Sequence, residues 1–191
     1  MAKYAKIKNF DIANGEGIGV SIYFSGCDAN PKCKGCFNSE LWEFNKGDNF
    51  TVNVMYNKLF ELLKNPHIDH LSILGGEPLA LNNIRYQFNK DGRRVREMSN
   101  VSQLVWLTRI LFPDKKIWLW THYTWEELMS NTNRHFELIR LRVIPYIDVL
   151  VDGRFEEEHK DLSLKWCGSS NQRVIDVKKS IKNNKIELYK E

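Results

Sequence analysis

Three of the four cysteines in this chain lie together in Cys27-Asp28-Ala29-Asn30-Pro31-Lys32-Cys33-Lys34-Gly35-Cys36-Phe37-Asn38, and the fourth, Cys167, is remote in sequence. Clustered thiols on a loop point to metal, because thiolates are soft ligands that take zinc or iron–sulfur clusters. Ligand count divides the possibilities. A structural zinc site is closed by four protein ligands. Cys27, Cys33, Cys36 and Cys167 together would make the chain a zinc-stabilised binding module, gripping RNA or another protein through Arg85, Arg93, Arg94, Arg96 and its lysine-rich end. Three local cysteines on a four-iron cluster instead leave one iron without a protein ligand. An open iron is a reactive site.

The rest of the chain must hold such a loop in place. At 191 residues it is long enough to bury a real core, and one domain over 1–191 is expected. Hydrophobic residues make up 42% of it and there are six tryptophans, which argues against disorder. Its 28 basic and 24 acidic residues leave a formal charge of +4, too small and dispersed to make a case for nucleic acid. The start, Met1-Ala2-Lys3-Tyr4-Ala5-Lys6, has no apolar run of signal-peptide length, and no stretch is long enough to span a bilayer. No membrane partner and a cytoplasmic location are expected. In that compartment clustered cysteines mean metal or catalysis rather than disulfides.

In chain order, Asn14-Gly15-Glu16-Gly17-Ile18-Gly19 is a glycine-rich turn, and Val20-Ser21-Ile22-Tyr23-Phe24 reads as a strand leading into the cysteine loop. Thr51 is an N-cap for a helix through about Lys64, with Met55, Leu59, Leu62 and Leu63 as its apolar stripe. His70 to Leu74 is a short strand running into Gly75-Gly76-Glu77-Pro78. Residues 81–100 are polar and arginine-rich, with an Asp91-Gly92 turn signal, and read as an inserted hairpin or loop. Val101 to Phe112 has helical spacing, Ile117 to Trp120 is a strand, and Thr124 with Glu127 fits a capping box. That last helix breaks near Asn131 to Asn133 and resumes through Arg142. Tyr146 to Val151 reads as a further strand, and 178–191 as a lysine-rich tail.

Strand and helix alternate, which argues for an α/β fold with a parallel sheet, either a partial (β/α) barrel or an open sheet. The cysteine loop, Gly75 to Pro78, Thr121-His122-Tyr123 and Asp152-Gly153-Arg154 each follow the carboxyl end of a strand. That edge is where such folds build active sites. Next to an open iron, the Gly75-Gly76 backbone and the Glu77 carboxylate suit a ligand's ammonium group.

In this order the segments resemble the radical S-adenosylmethionine (SAM) enzymes, and among them the activating proteins of class III (anaerobic) ribonucleotide reductase. The resemblance runs through Asn14 to Gly17, Phe24 to Cys27, Cys33 to Asn38, Trp42, Gly75 to Leu79, Ile117 to Thr121, Asp148 to Arg154 and Gly168 to Arg173. It implies a fold of the radical SAM type and a [4Fe-4S] cluster on Cys27, Cys33 and Cys36. It also implies S-adenosyl-L-methionine chelated to the open iron and cleaved to a 5′-deoxyadenosyl radical. The implied target is a glycine on the large (glycyl radical) subunit of the reductase, with an electron donor such as flavodoxin. By the same resemblance Gly35, Cys36 and Phe37 line the SAM site, Gly75, Gly76, Glu77 and Pro78 hold the methionyl ammonium, and Asp152 and Arg154 are further contacts, with Thr121 a weaker one. A radical SAM enzyme acting on a small molecule is the other reading of the same chemistry, though the chain is short for enclosing one.

Three features depart from the family's pattern. Five residues, Asp28 to Lys32, separate the first two cysteines where the family usually has three. Gly19 stands where related chains usually carry an arginine. The 81–100 connection is longer than the family's.

Overall fold

The computed structural model describes residues 1–86 and 88–190; Gln87, in the expected insertion, and Glu191, in the expected tail, lie outside the described residues. Seven strands form one sheet in the order β3-β1-β2-β4-β5-β6-β7. They are β1 (Lys3–Asp11), β2 (Gly19–Phe24), β3 (Asp48–Asn49), β4 (His70–Gly75), β5 (Lys116–Trp120), β6 (Val149–Asp152) and β7 (Arg173–Asp176). The central four, β2, β4, β5 and β6, run parallel, and antiparallel strands flank them: β1 and β3 at one edge, β7 at the other.

Helices cover one face. A continuous helical stretch over 52–63 begins at α1 (Val52–Val54), passes through a π-helical segment (Met55–Phe60) and ends as α2 (Glu61–Leu63). Then come α3 (Leu81–Ile84), α4 (Val101–Leu111), α5 (Trp125–Met129), α6 (Arg134–Arg142) and α7 (Val177–Asn183). Their starts are written in side chains. Thr51 accepts from Val54 N, Asn100 from Gln103 N, Asn133 from Phe136 N, and Thr124 with Glu127 forms the full capping box. Each satisfies an amide that the first helical turn leaves without a partner.

Alternation along the strands divides the molecule in two. Ile22, Leu71, Ile73, Ile117 and Leu119 point into the large core beneath the helices, with Leu59, Leu63, Leu104 and Val105. Their neighbours face the other way: Tyr23 and Leu74 pack with Leu41 and Trp120, and Trp118 packs with Trp166 and Tyr189. That second face is sealed by loops, and polar groups are buried under them. Asp11, with no exposed surface, accepts from Ser21 Oγ at 2.6 Å, Asn14 Nδ2 at 2.6 Å, Ala13 N at 3.0 Å and Lys8 Nζ at 2.9 Å. Burial alone would raise its carboxyl pKa, but these donors outweigh it and hold the group well below the usual carboxylate range.

Two expectations change and a third gains detail. The strand at Tyr146 begins later: Pro145 fits the first turn of a 3-10 helix (Ile144–Tyr146), and β6 opens only at Val149. The 81–100 stretch opens as α3 and then forms a small hairpin, with Phe88 bridged antiparallel to Arg94 and Asn89 Oδ1 accepting from the amides of Asp91 and Arg93 in its turn. The lysine-rich end carries α7, capped by Asp176, and returns to the sheet, where Tyr189 N bonds Val174 O at 2.8 Å.

The family's missing arginine has a steric explanation. A Cβ at Gly19 would lie 2.0 Å from His70 Nε2. The His70 ring is fully buried and pinned at both nitrogens, to Asn14 O at 2.8 Å and Glu16 O at 3.0 Å. The imidazole occupies the space a side chain at position 19 needs. Gly19→Ala is therefore expected to cost about 1–3 kcal/mol by overpacking, read from denaturant unfolding of the metal-free chain; native stability would show that the ring gives way. Asp11 sets an acid limit. Its folded pKa is depressed, so its contribution is complete above the unfolded value of about 3.9 and is lost as pH falls below it. Asp11→Asn should lower stability at neutral pH and flatten the loss below pH of about 4, measured by thermal midpoints across pH.

Candidate active site

A cleft of about 460 Å³ opens on the loop-covered face at the carboxyl ends of the parallel strands. Cys27, Cys33, Cys36 and Phe37 enter it from the loop after β2, Gly75 and Gly76 from the end of β4, Thr121 and His122 from the end of β5, and Gly153 and Phe155 from the end of β6. The far wall is Asn14 from the glycine-rich turn with Leu162, Leu164, Trp166, Cys167 and Gln172.

All four cysteines are free. Cys27 is the deepest; its amide bonds Trp42 O at 3.0 Å, and Lys32 Nζ donates to its carbonyl. The Cys36 amide bonds Cys33 O at 3.3 Å, a turn that passes through Gly35 at φ 70° and sets both residues in the lining of the cleft. Burial pushes the Cys27 thiol up to about 11 and raises that of Cys33 as well. Left alone such thiols stay protonated. A bound metal draws out the thiolate.

Gly75 and Gly76 are needed for packing. A Cβ at Gly75, where φ is 128°, would lie 2.1 Å from Phe24 O, and one at Gly76 would lie 2.5 Å from Gly26 O and 2.7 Å from Leu41 O. The close approach is between the end of β4 and the backbone that leads into Cys27. Glu77 lies deeper than the two glycines before it. It has no exposed surface and does not line the cleft. Its Oε1 accepts from Leu79 N at 2.8 Å and Thr121 Oγ1 at 2.9 Å, its Oε2 from His122 N at 2.7 Å, and its own amide donates to Gly26 O at 2.7 Å. The carboxylate thus joins three strand ends. Pro78 follows it away from the cleft.

Asp152 is likewise turned inward. It is buried, accepts from Arg173 Nε at 3.0 Å and Nη2 at 2.5 Å, and takes Trp125 N at 2.6 Å, so it anchors the start of α5. Arg173 also grips Glu126 in a two-pronged pair at 3.0 and 2.8 Å. Arg154 leans over the cysteine loop, with contacts of 3.4 Å to Asn30 O and Pro31 O. Gly35 shapes the loop without lining the cleft.

Sequence reasoning missed the far wall and what holds it. Gln172 takes Gly168 N at 2.9 Å and donates to Gly153 O at 2.9 Å, and Asn171 donates to Arg154 O at 2.8 Å. The Gly168 to Arg173 stretch thus stitches the wall that carries Trp166 and Cys167 to the end of β6. Also missed was Asp28, which receives Tyr123 OH at 2.8 Å and lies 3.0 Å from His122 Nε2. Burial works against a charged His122, but Asp28 and Glu77 outweigh it and raise its pKa.

Residues 13–175 match the family model of a 4Fe-4S single cluster domain. The anaerobic ribonucleoside-triphosphate reductase-activating protein of Vibrio cholerae is 36% identical over 173 residues, 90% of this chain and 96% of that one. Those of phage T4 and Escherichia coli K12 are 33% and 34% identical, covering 90% and 86% of this chain and 92% of each of theirs. The chain belongs to this family.

With the family comes a [4Fe-4S] cluster and SAM, and the residues present fit both. The donor set is three soft thiols on one wall of a single cleft, the kind that takes an iron–sulfur cluster. The remaining volume is lined by the Gly75-Gly76 backbone and by Phe37, Leu164 and Trp166, a mix of a few polar groups and apolar surface that suits a small molecule. The 4Fe-4S match favours this reading over a closed zinc module.

Glu77→Ala leaves three buried donors without their acceptor, and each such loss costs about 1–3 kcal/mol. The metal-free variant should unfold at distinctly lower denaturant. Gly76→Ala should lower iron content as well as SAM affinity, because it displaces the backbone before Cys27. Native stability in Glu77→Ala combined with weakened SAM binding would return the carboxylate to the cleft.

Proposed function

We propose that this chain activates an anaerobic ribonucleotide reductase by radical SAM chemistry, with Cys27, Cys33 and Cys36 as the ligands of the cluster. The observation that carries the reading is that three thiols from one loop meet the carboxyl ends of four parallel strands around one open cleft. Bound there, the cluster and SAM supply reductive cleavage of the sulfonium and a 5′-deoxyadenosyl radical that takes a hydrogen atom from a glycine of the reductase.

The side chains and backbone of this chain do the rest. Gly35 makes the turn that joins Cys33 to Cys36. The backbone of Gly75 and Gly76 at the cleft wall, with Glu77 fixed behind it, receives the amino-acid end of SAM. Phe37, Leu164 and Trp166 cover the adenosyl end and keep water out. Arg154 bears on the outer half of the cysteine loop. The four parallel strands with their cleft accord with the partial barrel of radical SAM enzymes.

The partner is the large, glycyl radical subunit, and the relatives' names carry ribonucleoside triphosphates to this reading as the substrates of that partner. A glycine Cα is an apt target: flanking amides stabilise its radical and no side chain blocks approach. Its hydrogen must come within near-attack distance, about 3–3.5 Å, so a loop of the partner leaves its own fold to enter the cleft. A flavodoxin-type protein supplies the electron, and the setting is the cytoplasm. No helix among the described residues is long and apolar enough to cross a membrane.

The test is to mix the iron-loaded protein anaerobically with its reductase, SAM and a reductant and record the electron paramagnetic resonance spectrum. A glycyl-radical doublet on the reductase is expected, absent without SAM or with Cys36→Ser. Brisk SAM cleavage with a radical-free reductase would move the substrate elsewhere.

A further inference from the structure

The cysteine loop is longer than the family's between its first two cysteines, and it has little backbone support. Among the described residues, 28–32 make no backbone–backbone hydrogen bond, although Cys27 and Cys36 on either side do. Side chains hold it instead: Lys32 Nζ donates to the Cys27 carbonyl, and Arg154 lies 3.4 Å from Asn30 O and Pro31 O. Asp28 is the side chain that ties the loop to the end of β5. One carboxylate oxygen receives the Tyr123 hydroxyl at 2.8 Å and the other lies 3.0 Å from His122 Nε2.

Both partners are fixed before Asp28 reaches them. The His122 amide is bonded to the buried Glu77 carboxylate at 2.7 Å, and its ring packs 4.1 Å from that of Tyr123. The Tyr123 ring packs edge-on against Phe136 at 5.3 Å and His135 at 5.8 Å, on α6. Asp28 therefore docks on a prearranged pair at the end of β5.

We infer that Asp28, His122 and Tyr123 form a clasp that fastens the first part of the cysteine loop to the end of β5 and so positions Cys27 for the cluster. These are positioning residues: they act through Cys27, as the outer groups that orient metal ligands do. The inference rests on the reading of Cys27 as a ligand.

The experiment follows iron release to a chelator from the anaerobically loaded protein, with no turnover required. Asp28→Ala should lose iron about tenfold faster or more, in the range usual for such outer partners. Tyr123→Phe, which keeps the ring packed on Phe136, should lose it severalfold faster. The double variant should be no worse than Asp28→Ala, because the two share one interaction, and the reduced cluster's electron paramagnetic resonance signal should change in both single variants. Native release rates, effects that simply multiply, or a matching fall in the thermal midpoint of the metal-free variants would overturn the clasp. Cys27→Ser separates this from the ligand reading. Full iron in Cys27→Ser would remove Cys27 from the ligand set, whereas an iron-poor Cys27→Ser beside a native-like Asp28→Ala removes the clasp alone.

Discussion

One buried carboxylate holds the cleft together. Glu77 lies at the end of β4 with no contact to solvent, and through its amide and both oxygens it reaches Gly26 after β2 and Thr121 and His122 after β5. A buried charge is tolerated only when fully satisfied, and here each oxygen has a donor. Its pKa is nonetheless raised, with burial the largest cause, although the His122 partners pull it down. Geometry follows from this. With three strand ends tied at one point, the loops that continue from them have little freedom in where they begin, and the mouth of the cleft inherits that order.

The glycines next to it express the same constraint. Gly75 and Gly76 admit no side chain because the backbone of Phe24 and Gly26 is already in the way. The glycine pair, the carboxylate and the turn before Cys27 behave as one packed joint. A change to any of them is felt at the thiols, which is why a motif that looks ligand-binding carries so much structural work.

Much of this was legible in the sequence, and the reasons differ by residue. The central strands and capped helices were readable because their signals are local: β-branched runs, and Thr124 three residues before Glu127. The flanking strands were not. β1 reads Lys-Tyr-Ala-Lys-Ile-Lys-Asn-Phe-Asp with irregular register and mostly outward-facing residues, so its alternation is weak. β7 is short and gains its place from β6 rather than from its own pattern. The cysteine motif stood out because thiol chemistry leaves few bland explanations, and membership of a 4Fe-4S family agrees with a metal reading. Glu77 and Asp152 were recognisable as unusual, yet their roles were not. Their partners, Thr121, His122 and Arg173, lie 44, 45 and 21 residues away, and a carboxylate's function depends on which donors reach it.

The aromatic wall behind the cleft also sets an order of assembly. Trp118 is covered by Trp166 and Tyr189, and Lys116 at the foot of β5 bonds both Glu16 and Tyr189, at 2.7 and 2.6 Å. Three segments from near the beginning, the middle and the far end of the chain close on one another there. Contacts of such long sequence separation carry a loop-closure cost that short ones do not. The cysteine loop, made early in synthesis, therefore waits for residues past 160 before it has a wall to face.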